Sequence, residues 1–228
     1  MTDAPDTFGG LSAISFSNLK DQVVQLLREK IILGQLPPGS LLGETRLART
    51  LNVSRGTVRE SLLELEMENL IETDETGKHF VIQLNTKSVA DVFQVRAALE
   101  SLAAHLISQS PERQKKQSQM EAMLEKLRDA ETLPTVELME VDLEFHRTLL
   151  ELSGNSTLLE SWKRIEGPLR VAIVYAGKSL ARNNMTAKEH EPFIRALDAD
   201  QEEPERLVFN TLINTATGLI AAYESPSK

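Results

Sequence analysis

Apolar residues recur every three or four positions along most of the chain, the spacing of helices that each bury one face. From Ser17 the stripe is Leu19, Val23, Leu26, Leu27, Ile31 and Ile32, with Ser17 or Asn18 as its cap and Gly34 as its stop. Pro37-Pro38-Gly39 makes a turn, and Ser40-Leu41-Leu42 reads as a strand remnant. A short helix over Glu44–Leu51 keeps Leu47, Ala48 and Leu51 on one face, and Asn52-Val53 closes a turn with Val53 as a buried plug. Ser54 is placed to cap a second helix by accepting from an N–H one turn on. Val58, Leu62 and Leu65 line that helix's inner face. Two short strands follow, Leu70–Thr73 and Phe80–Leu84, pairing as a hairpin around Gly77.

Beyond a hinge at Asn85–Ser88, where Thr86 or Ser88 is the next cap, helical spacing returns and persists. It predicts helices over Val89–Gln109, Glu112–Asp129, Thr135–Leu152, Leu158–Ala176, Ala187–Ala199 and Glu203–Ala222. In the first of these, Val92, Val95, Leu99, Leu102, Ala103 and Leu106 belong to the apolar stripe. The third ends at Gly154-Asn155 in a left-handed stop. The fourth is apolar on more than one side and reads as a central helix. The fold class is therefore mostly α: an N-terminal winged helix-turn-helix domain followed by an all-α helical bundle of about six helices. The expected boundaries are 1–14 for a flexible tail, 15–84 for the winged domain, 85–90 for a linker and 91–228 for the bundle.

Ser54, Arg55, Thr57 and Arg59 face outward at the start of the second short helix. Free N–H groups and the helix dipole favour phosphate there, the layout of a recognition helix presented to a major groove. Lys78, with His79 beside it, is positioned at the hairpin tip to reach a phosphate or the minor groove. Charge qualifies this picture. The chain of 228 residues is net −9, and residues 1–85 hold eight Lys/Arg against twelve Asp/Glu. Yet Arg46, Arg49, Arg55 and Arg59 fall in a stretch without acids, and Glu60, Glu64, Glu66 and Glu68 follow them. A local basic face suffices for phosphate contacts. The expected partner is a double-stranded DNA operator, bound tightly only by a homodimer on a palindromic site.

The absence of Cys excludes disulfides and thiolate metal sites and fits a reducing cytosol. The N-terminus carries no signal-peptide pattern, and no run approaches a membrane span. A cytoplasmic protein with no membrane partner is expected.

In the second half, Asp142 and His146 lie four residues apart, hence on one helix face, and point inward beside Leu138, Phe145 and Leu149. His190 stands on another helix. A buried carboxylate and imidazole must be paired or metal-bound, so the set is either a divalent-ion site or a hydrogen-bonded Asp–His pair.

The segment L-A-R-T-L-N-V-S-R-G-T-V-R-E-S-L-L-E-L (Leu47–Leu65), with G-Q-L-P-P-G-S-L-L before it and E-N-L-I-E after it, resembles the GntR family of bacterial transcription regulators. D-L-E-F-H-R-T-L-L-E-L-S-G-N-S-T-L, D-V-F-Q-V-R-A-A-L-E and E-H-E-P-F-I-R-A-L resemble the FCD effector-binding domain of the FadR subfamily. The resemblance implies a ligand-responsive repressor, not an enzyme. Its all-helical domain would bind effector and form the dimer, and Asp142, His146 and His190 would hold zinc, nickel or manganese. Arg96 would join these three residues in gripping a small organic acid; the other reading of Arg96 is an ion pair to Glu100. Departures are visible. Gly56 stands for a usual Pro, Asn69 for a usual Gly, and Thr45 for a frequent Arg. No His follows His190; the position of a further ligand falls near Leu212, flanked by Asn210 and Asn214. Two rival readings weigh less. A metal-dependent hydrolase leaves the first 85 residues unexplained, and the arginines speak against an interaction module that does not bind DNA.

Overall fold

The computed structural model describes residues 17–175, 178–198 and 203–224. The expected tail over 1–14, and Ala176 and Ala199 at the ends of two expected helices, lie outside these residues. The head is built from α1 (Ser17–Ile32), α2 (Glu44–Leu51), α3 (Arg55–Met67), β1 (Ile71–Thr73) and β2 (His79–Val81). Ser17 is already helical in α1. The apolar stripe holds from Val23 onward, but Leu19 is 51% exposed and Val24 is buried instead. Asn52 ends α2 in the left-handed conformation at φ 53, a backbone state Asn tolerates better than most residues.

Strands β1 and β2 pair antiparallel, with Ile71 opposite Val81 and Thr73 opposite His79. Leu41 adds an isolated bridge to Phe80, so the strand remnant braces the wing. At the tip, Gly77 takes a φ of +76, and the Asp74 carboxylate accepts from the N–H groups of Thr76 and Lys78 at 2.8 and 2.9 Å. Val23, Leu27, Ile31, Val58, Leu62, Leu65, Leu70 and Val81 form the head's core.

The bundle consists of α4 (Thr86–Ser108), α5 (Arg113–Ala130), α6 (Thr135–Leu152), α7 (Ser156–Tyr175), α8 (Lys178–Asn184), α9 (Ala187–Arg195) and α10 (Pro204–Glu224). The α8 helix is too short to show a periodic stripe, which is why sequence spacing gives about six helices. Asn85, not Thr86 or Ser88, caps α4, its side chain accepting from Ser88 N–H at 2.8 Å. Within the 85–90 stretch only Asn85 stands outside the helix.

Helix α4 lies against α6, α7 and α10, and its inner face coincides only in part with its apolar stripe: Ala103 is buried and Val92, Leu99 and Leu106 are half-buried against the core. Val89, Phe93, Ala97, Ala103, Ala104 and Ile107 point inward with Arg96 and Glu100, whereas Val95 and Leu102 remain 47% and 43% exposed. Burying a charged pair while leaving valine and leucine at the surface opposes the hydrophobic effect. That inversion places the polar site. Among the described residues, no helix is long and apolar enough to cross a membrane.

Candidate functional site

Two separate regions carry the polar chemistry. At the head, the Ser54 hydroxyl caps α3 by accepting from Thr57 N–H at 3.0 Å, and it also lies 2.8 Å from the Thr57 hydroxyl. Arg55 is exposed at the first helical position, and Arg46 and Arg49 are exposed on α2. Arg59 is exposed too, but its guanidinium lies flat against Glu44, with Nε and Nη2 donating to the two carboxylate oxygens at 2.9 and 2.8 Å. This hydrogen bond and the Arg59 charge hold the Glu44 carboxyl below its ordinary pKa. Sequence spacing did not suggest this buttress, because the two residues belong to different helices. Lys78 is exposed on the wing. His79 is not available to DNA: it is buried, with Nδ1 2.9 Å from the Thr73 hydroxyl across the hairpin.

Inside the bundle, Asp142 and His146 from α6 meet His190 from α9, and all three are buried. Their nearest ligand atoms lie within 4.8 Å of one another. The His190 Nε2 atom is 3.1 Å from Asp142 Oδ1 and 3.0 Å from His146 Nε2.

The opposite side of each ring decides what these nitrogens can do. His190 Nδ1 lies 2.8 Å from the Thr186 carbonyl, so that nitrogen must carry the proton. His146 Nδ1 lies 2.7 Å from Glu100 Oε2, which likewise draws the proton to Nδ1. In the neutral rings both Nε2 atoms are left as lone pairs, aimed at one point beside a carboxylate oxygen. Two facing lone pairs repel unless a cation lies between them. Second partners that fix a ring's tautomer are what metal-ligating histidines use, so the residues present fit a divalent ion. Burial, and then the neighbouring Arg96 charge, push the His146 pKa down and favour the neutral, ligating form.

Helical spacing makes Glu100 a partner for Arg96 but gives no sign of its contact with His146. Glu100 is fully buried, accepting from Arg96 Nε at 2.7 Å while it orients His146. Burial raises the pKa of its carboxyl, but His146 and Arg96 outweigh this and hold it below the ordinary value. Arg96 is thus ion-paired, and it is also sandwiched between the Phe93 and Trp162 rings at 5.4 and 5.5 Å. It still lines a cavity of about 30 Å³ beside Asp142, His146 and His190. From α10 the cavity receives Thr211, Leu212 and Thr215. Asn210 and Asn214, which flank the expected position of a further ligand, are exposed and do not reach it.

Comparison with known proteins finds a family match over each part of the chain. Residues 19–81 match the family described as bacterial regulatory proteins, gntR family, and residues 91–210 match the FCD domain. The HTH-type transcriptional regulator YdhC of Bacillus subtilis is 29% identical over 139 residues, 60% of this chain and 62% of its own length. The chain thus spans less than two thirds of that relative. The gluconate operon transcriptional repressor of Bacillus subtilis is 27% identical over 203 residues, 87% of this chain and 79% of its own. Among solved structures, Escherichia coli McbR/YncC superposes with a TM-score of 0.67 at 22% identity, covering 90% of this chain and 98% of that one.

Proposed function

The chain belongs to the gntR family of bacterial regulatory proteins, as a DNA-binding transcription regulator and not an enzyme, and from that premise we propose a repressor switched by a small ligand in its FCD domain. The observation that carries the switch is the convergence of two imidazole lone pairs and Asp142 on one point. Asp142, His146 and His190 hold a divalent ion, zinc, nickel or manganese. Bound there, the ion supplies positive charge against which the carboxylate of a small organic acid docks, with Arg96 as second grip. A cavity of about 30 Å³ has room for roughly one water-sized occupant. An organic acid therefore enters only as the walls from α9 and α10 part, which makes binding and conformational change one event.

Operator recognition is assigned to the head. Arg55 and Arg59 read guanine edges or phosphates, Ser54 and Thr57 contact phosphates, and Arg46, Arg49 and Lys78 hold the flanking backbone. The protein works as a homodimer on a palindromic operator. Exposed Val95 and Leu102 on α4 and Phe209 on α10 support this, because α4 and α10 pack side by side and a second copy would cover all three. Two recognition helices then enter major grooves about one helical turn apart. The repressor direction rests on relatives named as operon repressors. Elemental analysis of the purified protein, followed by thermal-shift screening of small carboxylic acids with and without chelator, tests the reading. Protein without metal and without any acid-dependent shift would remove it.

A further inference from the structure

Helix α7 contains an internal Gly167-Pro168 pair, a local choice that helix chemistry disfavours. Relative to Ala, both are poor residues for a helix interior, Pro far more so than Gly. Both residues find a use at the seam between head and bundle. A Cβ placed on Gly167 would lie 1.8 Å from the Glu68 carbonyl oxygen and 3.1 Å from the Asn69 carbonyl carbon. Those are backbone atoms that cannot swing aside, so only glycine lets α7 approach the end of α3. Pro168 has no N–H, and in an unbroken helix that N–H would bond to the Arg164 carbonyl. The carbonyl freed in this way accepts instead from the Asn69 side-chain amide at 2.9 Å. Asn69 reaches it from a left-handed backbone at φ 55, directly beyond the recognition helix.

The same helix belongs to both cores. Val171 is buried among Val23, Val24 and Leu27 of the head. Trp162, Leu169 and Ala172 belong to the bundle core, and Ile173 lines the cavity beside His146 and His190. Next to the seam lies a cleft of about 360 Å³, walled by Arg28 and Glu68 on the head and by Glu140, Arg147, Glu166 and Arg170 on the bundle. Among the described residues, the ion pairs stay on their own sides: Arg28 with Glu68, Arg147 with Glu166, and Arg170 with Glu140 and Glu166. The direct grip at α3 thus consists of a backbone approach and one hydrogen bond. Opening it also withdraws Val171 from the head core, so the closed state is defined by apolar packing as well as by these contacts.

We propose that Gly167 and Pro168 form a latch on α7 that grips the end of the recognition helix through Asn69, and that occupancy of the buried Asp142–His146–His190 site sets how firmly it closes. The occupancy clause rests on the ligand-switched reading above; the grip itself does not. Ile173 and Gly167, six residues apart on α7, link the cavity to the end of the DNA-reading helix.

The test uses full-length protein. The chain lacks cysteine, so spin labels at Glu75→Cys on the wing and Glu151→Cys on the bundle, diluted into unlabelled protein, report the head–bundle distance. Wild type should give one narrow distance. Gly167→Ala should broaden it, although it favours the helix locally, so the broadening cannot be put down to an unwound α7. Asn69→Gly, which keeps the left-handed backbone and deletes only the amide, should broaden it too. Narrow wild-type distances in both variants would overturn the latch. In parallel, operator affinity is compared with zinc and with chelator. A coupling of about 5-fold or more is expected in wild type, collapsing towards 1 in both variants while calorimetric zinc affinity changes by no more than that coupling factor. Full coupling retained in the variants would also overturn the proposal. A wild type indifferent to zinc would overturn the occupancy clause together with the switch reading, and the distances would still decide the grip.

Discussion

The Nε2 atoms of His146 and His190 face each other at 3.0 Å, and in the neutral rings each is left without a proton because Glu100 and the Thr186 carbonyl hold the other side of its ring. A cation relieves that opposition. Zinc or manganese at 100 times its Kd should therefore stabilise the protein by about 2.7 kcal/mol, or roughly 5–10 °C in a chain of this size. Chelator should reverse the shift, and His146→Ala should abolish it. Differential scanning fluorimetry reads all three, and an equal shift in His146→Ala would remove the histidines as ligands.

Glu100→Gln tests the tautomer argument. A glutamine amide can keep the acceptor for Arg96 while turning its NH₂ towards His146 Nδ1. The imidazole proton would then move to Nε2 and cancel the ligating lone pair. Metal affinity should fall about 10–100-fold, measured by isothermal titration calorimetry, with helical content retained. Unchanged affinity would leave Glu100 as a partner of Arg96 alone.

Glu44 places an acid on the DNA-reading face in order to hold Arg59 in position. Glu44→Ala should raise affinity for a scrambled duplex several-fold and lower the operator-to-scrambled ratio, as read by fluorescence anisotropy. Because the Glu44 pKa lies below its ordinary 4.5, the pair contributes fully above that value. It is lost only as pH falls through the depressed pKa. The effect of the substitution should accordingly be the same at pH 6 and pH 8.

Leu102→Glu places a charge in the exposed apolar face of α4 without touching the bundle core. Analytical ultracentrifugation should show monomer where wild type is dimer, with operator affinity reduced at least tenfold. A dimeric Leu102→Glu protein would move the interface elsewhere.

How much of this was legible in the sequence depended on whether the signal was local. Ser54, Asn52 and Gly77 could be read because caps and left-handed residues act within a few positions of themselves. The face of α4 could be read only in part: Ala103 is buried and Val92, Leu99 and Leu106 are half-buried as the stripe suggests, but Val95 and Leu102 are exposed, and only tertiary packing shows Arg96 and Glu100 turned inward. Asp142, His146 and His190 could be named from spacing and resemblance. The proton positions that make them a donor set depend on Glu100 and the Thr186 carbonyl, which lie on other elements or on the backbone. Thr211 and Thr215 were missed for a simpler reason. The expected position near Leu212 does line the cavity, but the oxygen donors sought beside it, Asn210 and Asn214, stand two residues away on either side and so face the other way on the helix. Gly167-Pro168 reads as a defect in α7 until Glu68 and Asn69 are seen against it.

The central claim is that a dimer reads DNA through the start of α3, with its ligand site in the separate helical bundle. Footprinting on operator DNA, comparing wild type with Arg55→Ala, tests it most directly. Wild type should protect two half-sites about one helical turn apart, and Arg55→Ala should protect neither while keeping its dimer mass and metal affinity. A wild-type footprint from the Arg55→Ala protein would contradict the account.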